Sequence, residues 1–209
     1  MTSALKALER LRAGNHRYAS DIHSRSALAS QARRMELTAG QAPFAVILGC
    51  SDSRVPVEIV FDQGLGDLFV IRVAGNIVAP SQVGSVEFAA EQYGTRLVVV
   101  LGHSRCGAIL ATLEQLKQSA RSHSRNLHSI VDRIRPSVES LLTTDLRLDP
   151  ESLVRQAVRA NIRASAGQLR HGSQYIEQMI ERDGLLVVGA EYSLETGAVD
   201  FFDGIPGDD

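Results

Sequence analysis

The chain has no tryptophan, only two cysteines in 209 residues, and aromatic side chains at 5% of positions. No apolar run approaches the roughly 20 residues that a membrane-spanning helix needs. Each shortage excludes something. Two cysteines are too few for a disulfide-built scaffold, and a cytoplasmic chain of this size rarely joins its only pair. A formal net charge of -2 leaves no broad basic field for nucleic acid or an anionic membrane surface. The N-terminal stretch Met1-Thr-Ser-Ala-Leu-Lys-Ala-Leu-Glu-Arg10 mixes charge with leucine and lacks a signal-peptide core. The expectation is a cytoplasmic protein with no membrane span and no nucleic-acid partner.

What is present suits one α/β domain: 209 residues, 44% hydrophobic and 22% charged, suffice for a sizeable core. We expect a single domain over 1–209, with a helical arm over 1–40 and an α/β core over 41–209. Leu5, Leu8 and Leu11 recur at helical spacing within 3–19, and 20–40 reads as a second helix with loops around it. Strand-like runs follow at 44–49, 68–73, 97–102 and 185–190. The first, third and fourth are nearly continuous apolar runs, as in strands covered on both faces. Helix-period segments lie near 82–94, 106–119, 126–142 and 151–182. This alternation predicts a mostly parallel central sheet flanked by helices. Ala198-Val-Asp-Phe-Phe202 is expected to add an antiparallel C-terminal edge strand after a turn at Glu195-Thr-Gly197.

In open α/β sheets, ligands bind beyond the carboxyl ends of the strands. Both cysteines sit there. Cys50 opens Cys50-Ser-Asp-Ser-Arg54 directly after the first strand, and Cys106 closes His103-Ser-Arg-Cys106 after the third. Two thiols and an imidazole supply three ligands to a zinc ion and leave a fourth position open, the ligand count of a catalytic site. Cys106 is placed in the first turn of the next helix, whose N-terminus favours a thiolate. Two thiolates cancel the charge of Zn²⁺, so a bound water should be less acidic than the pKa of about 7 found at sites with three neutral histidines. Activity is then expected to rise through mildly alkaline pH.

Asp52 and Arg54 stand two apart and share a face if that segment is extended. An isolated loop ion pair contributes little. Beside Cys50 the carboxylate has two opposed roles: it orients zinc-bound hydroxide, or it binds zinc as the fourth ligand in a closed state. Arg54 holding Asp52 favours the first. The histidines at 16, 23, 123, 128 and 171 fall in polar or helical stretches and read as surface residues. Gly64-Leu-Gly66 lacks a third glycine, and no Gly-Lys-Ser/Thr follows a strand, so a nucleotide site is disfavoured.

Cys50-Ser-Asp-Ser-Arg-Val55 and Gly102-His-Ser-Arg-Cys-Gly107 resemble the two most specific motifs of the β-class carbonic anhydrases, and the likeness is densest from Gln41 to Gly107. The resemblance implies Cys50, His103 and Cys106 as ligands of one zinc per chain, with Asp52 and Arg54 as a catalytic dyad. It implies reversible hydration of carbon dioxide to bicarbonate and a proton by zinc-bound hydroxide. It also implies substrate-pocket roles for Gln41 as a hydrogen-bond donor, Phe69 and Phe88 as apolar lining, and Gly107 as a close backbone approach. For Phe69 and Phe88 the plain alternative is core packing, and for Gln41 a loop amide.

The family further implies a homodimer or a higher even-numbered homo-oligomer, with some pocket residues lent by the neighbour and the N-terminal helix lying over it. One departure stands out. A bicarbonate-inhibited subgroup has a tryptophan three residues before the first cysteine, together with an arginine and a tyrosine. Arg72 and Tyr192 match, but Ile47 takes the tryptophan position, which argues against an intact non-catalytic bicarbonate site. Two other readings keep the same residues: a hydrolase of carbonyl sulfide or carbon disulfide, and a non-catalytic zinc-binding relative.

Overall fold

Strand β1 (Ala45–Gly49) is an unbroken apolar run, and all five residues are buried. Such a strand needs cover on both faces and a partner on both edges. The computed structural model, which describes residues 2–22, 30–117 and 124–207, supplies both. β1 pairs in parallel with β2 (Leu68–Arg72) and with β3 (Leu97–His103). β3 pairs in parallel with β4 (Leu186–Tyr192), and β4 pairs antiparallel with β5 (Val199–Asp203). The order is β2-β1-β3-β4-β5, with the antiparallel edge at the C-terminus.

The two-residue period of the strands divides the core. Val46, Leu48, Val98 and Val100 enter one cluster, and Ala45, Ile47, Leu97 and Val99 the other. Helices α1 (Ala4–Ala19) and α3 (Val57–Val60) cover the second face, while α2 (Gln31–Glu36) lies between them in the chain and buries nothing. The first face is covered by α4 (Pro80–Gln92), α5 (Gly107–Lys117), α6 (Arg125–Val138), α7 (Pro150–His171) and α8 (Gln174–Asp183).

Several boundaries differ from the periodic reading. The segment 151–182 is two helices. Ser173 adopts an extended conformation and its side chain caps α8 by accepting from Ile176 N–H, which breaks the run although the apolar spacing continues. The segment 126–142 leaves the α-helix at Val138 and continues as a 3-10 turn, Glu139–Thr143. Residues 118–119 of the expected 106–119 helix lie outside the described residues, as do 23–29 of the expected second helix. Leu5 is 54% exposed, whereas Leu8 and Leu11 are buried against the chain's own sheet. Steps of three residues drift around a 3.6-residue helix, so Leu5 leaves the stripe.

α1 is tied to the rest of the chain by one buried amide. Asn15 Nδ2 donates to the carbonyls of Val60 (3.1 Å) and Gly197 (2.9 Å), and its Oδ1 accepts from Val199 N–H (2.7 Å). The residue before it, Gly14, lies against the backbone: a Cβ there would sit 1.9 Å from the Phe61 carbonyl oxygen. Gly14→Ala should therefore destabilise the fold by about 1–3 kcal/mol through overpacking, more than the helix propensity of alanine offsets. Thermal unfolding checks this: Tm should fall by roughly 2–4 °C per kcal/mol, and an unchanged Tm would mean that α1 is free to shift.

Candidate metal centre

β1 and β3 are parallel neighbours, with Gly49 opposite Leu101. The residues that follow therefore meet: Cys50 leaves β1 level with Gly102, next to His103 at the end of β3. Arg105 turns the chain back with a positive φ of 55°. Cys106 then precedes α5 directly, and its carbonyl accepts from Leu110 N–H at 3.0 Å. It caps the helix rather than lying in its first turn, and the N–H groups of Ile109 and Ala108 point at its sulfur.

The two sulfurs are 3.9 Å apart. With a ring nitrogen of His103 they form a group whose ligand atoms all lie within 4.8 Å of one another, and all three residues are buried. His103 Nδ1 lies 2.9 Å from the Ser104 carbonyl, an acceptor, so Nδ1 carries the proton. Nε2 then presents its lone pair inward, where it is buried with no hydrogen-bond partner. An orphaned buried acceptor costs about 1–3 kcal/mol. Two thiols and this nitrogen, converging on one point, are a donor set suited to zinc.

The sulfurs lie close enough for one hydrogen bond between them. The hydrogen bond from Cys106 is the largest influence holding the Cys50 thiol down to about 4; burial opposes it, and the Gly75 and Asp52 N–H groups assist. The same bond, together with burial, pushes Cys106 well above the usual thiol range. The opposed shifts favour one thiolate and one thiol over two thiols at pH 7. Zinc binding at that pH should release about one proton per ion, from Cys106. Calorimetry in buffers of different ionisation enthalpy measures this count; a release of two protons would contradict the thiolate–thiol pair.

Asp52 sits over the centre. The segment is a turn, not a strand: Val55 N–H donates to the Asp52 carbonyl at 3.0 Å. Arg54 grips the carboxylate at both oxygens, Nε to Oδ1 at 3.0 Å and a terminal nitrogen to Oδ2 at 2.8 Å, and its N–H adds a third bond to Oδ1 at 3.0 Å. These bonds hold the Asp52 carboxyl well below the usual carboxylate range. Its Oδ2 lies 3.7 Å from His103 Nε2.

Other residues shape the site through neighbours distant in the chain, contacts that no local sequence pattern shows. Arg72, on β2, donates to the carbonyls of Cys50 (3.1 Å) and Asp52 (2.6 Å) and so clamps the loop from below. Ser104 donates to Glu195 Oε2 at 2.8 Å and accepts from Leu194 N–H at 3.0 Å, which fastens the His103–Cys106 loop to the β4–β5 turn. Tyr192 is buried and shares a 3.1 Å hydrogen bond with Tyr18, and Ile47 is fully buried in the apolar face.

Of the expected pocket residues, Gly107 begins α5 beside Cys106, and a Cβ added there would meet nothing within 4 Å. Gln41, Phe69 and Phe88 form a separate group. Phe69 is in register with Val46, four residues before Cys50, or about 13 Å of strand. Its ring lies 6.1 Å from that of Phe88 and 6.0 Å from that of Tyr93, and Gln41 Nε2 donates to the Tyr93 hydroxyl at 2.9 Å. Phe88 is 48% exposed. His16 and His171 are exposed and His128 is half-buried, all away from the centre. His23 and His123 lie outside the described residues.

A mostly parallel α/β sheet with a two-thiol, one-imidazole centre at its carboxyl end defines a zinc enzyme of the α/β class. The carbonic anhydrase family profile matches residues 45–199. Carbonic anhydrase 2 of Mycobacterium tuberculosis is 37% identical over 198 residues, covering 94% of this chain and 91% of that protein. The β-carbonic anhydrase CcaA superposes with a TM-score of 0.76 at 28% identity, over 98% of this chain and 95% of its own. One of two tetrameric β-carbonic anhydrases from Sordaria macrospora superposes with a TM-score of 0.72 at 26% identity, over 81% and 85%. The chain belongs to the β-carbonic anhydrase family.

Proposed function

We propose that this chain is a zinc lyase that catalyses the reversible hydration of carbon dioxide to bicarbonate and a proton. The observation that carries the assignment is the convergence of Cys50 Sγ, Cys106 Sγ and the unpartnered His103 Nε2 beneath an ionised Asp52. These three residues hold one zinc ion, which when bound supplies the Lewis acidity that makes water a nucleophile near neutral pH. Asp52 accepts a hydrogen bond from the attacking oxygen and so turns its lone pair toward the carbon. Arg54 keeps that carboxylate ionised and engaged, an acceptor rather than a fourth metal ligand. Gly107, without a side chain, leaves room for the substrate beside Cys106. Stopped-flow hydration on protein of known zinc content tests the assignment. Sulfide release from carbonyl sulfide without hydration would move it to the hydrolase reading.

The chain acts as one cytoplasmic domain assembled into a homodimer or a larger even-numbered oligomer. Gln41, Phe69 and Phe88 line the carbon dioxide pocket of a neighbouring subunit. Their distance along the sheet from Cys50, the exposure of Phe88 and the edge position of β2 support this. Complementation checks it. Asp52→Ala and Gln41→Ala proteins should each be slow, whereas co-expressed mixtures should regain turnover, because one site of each mixed dimer is intact. No regain would place each pocket within one chain.

A further inference from the structure

One buried side-chain amide is linked to the metal centre through a single peptide. Asn161, in the middle of α7, is 2% exposed and stands in a stripe of Val158, Ile162 and Ala166. Its Nδ2 donates to the Gly75 carbonyl at 2.8 Å. Gly75 in turn donates its N–H to Cys50 Sγ at 3.3 Å. A side-chain amide therefore reaches a metal-binding sulfur through a single glycine residue.

That glycine cannot hold its position by itself. Gly75 has a φ of 70°, and the next residue, Asn76, also has a positive φ of 42°. A Cβ at Gly75 would sit 2.8 Å from Ile134 Cδ1 and 3.1 Å from the Ala108 Cβ. Consecutive left-handed residues persist only where the surroundings over-determine them. α5 and α6 press on Gly75 from one side through Ala108 and Ile134, and α7 holds its carbonyl from another. An apolar side chain at 161 would match its neighbours, but it would leave the buried Gly75 carbonyl without a donor.

We propose that Asn161 is a positioning residue for the metal centre, fixing the Gly75 peptide so that its N–H points at Cys50 Sγ. The N–H draws charge from the sulfur and orients its remaining lone pairs, the outer-shell role that tunes a bound metal. The proposal rests on Cys50 being a zinc ligand.

The test uses the full chain loaded with cobalt(II), comparing wild type with Asn161→Leu, which removes the donor at similar volume. Three quantities are measured: the sulfur-to-cobalt charge-transfer band, the rate of metal loss to a chelator, and Tm. The band should move to longer wavelength as the sulfur becomes more electron-rich, and metal affinity should fall by about 10–100-fold. A lower Tm with an unmoved band and unchanged metal release would overturn the proposal, since a purely structural asparagine gives that result. If the leucine variant does not fold, Asn161→Ser shortens the side chain more gently and is judged by the same band and release rate. A wild-type cobalt protein with no thiolate band would instead sink the reading of Cys50 and Cys106 as ligands.

Discussion

Asp52→Ala should lower carbon dioxide hydration by roughly 10²–10⁴-fold, the contribution of a positioned proton acceptor, while zinc content and fold stay near those of the wild type. The carboxylate is held at both oxygens by Arg54, so its position is already set before substrate arrives. Its Oδ2 lies 3.7 Å from His103 Nε2, close enough to engage an atom held where the three donor atoms converge. Asp52 contributes little to the core: its side chain is partly exposed and its strong partner, Arg54, is half exposed. Removing it therefore removes orientation and little stability. Steady-state hydration, zinc analysis and Tm on the same preparation decide the matter. Turnover within a few-fold of wild type would rule Asp52 out as the acceptor. Loss of zinc would mean that it acts chiefly on the metal.

Cys106→Ser should act on the opposite quantity. A four-ligand zinc site is worth about 10–16 kcal/mol, so one ligand is worth about 3 kcal/mol, a loss of at least about 100-fold in affinity. Serine offers a hydroxyl that does not ionise near neutral pH, and the N–H groups of Ile109 and Ala108 that serve the sulfur would lose their anionic partner. Purified protein should carry well under one zinc per chain, and hydration should fall to the buffer rate. A fully loaded but slow Cys106→Ser protein would contradict a ligand role. The two variants thus separate: one keeps the metal and loses the chemistry, the other loses both.

How much of this was readable from the sequence depends on range. Cys50 follows β1 and His103 ends β3, and each motif is local, so the topology of parallel neighbours was enough to bring them together. The expected strand 97–102 is Leu97–His103, and the expected edge strand 198–202 is Val199–Asp203. The break at Ser173 was hidden because apolar spacing continues from Leu169 to Ile176 across it. The Arg72 clamp and the Gly75 donor were invisible because they depend on the path of the chain after β2. The placement of Phe69 depends on the register of β2 against β1, which no composition or period encodes.

The fastening of the His103–Cys106 loop has a consequence for the order of assembly. Ser104 is held by Leu194 and Glu195, 90 and 91 residues later in the chain. The turn that holds it is itself pinned to Asn15, which bonds Gly197 and Val199 across 182 and 184 residues. Contacts of such separation form late, after the loop-closure entropy has been met. A nascent chain carries both cysteines long before it carries the hairpin that locks their loop. Metal capture at full affinity therefore waits until the β4–β5 hairpin has been made and α1 and that hairpin close on each other.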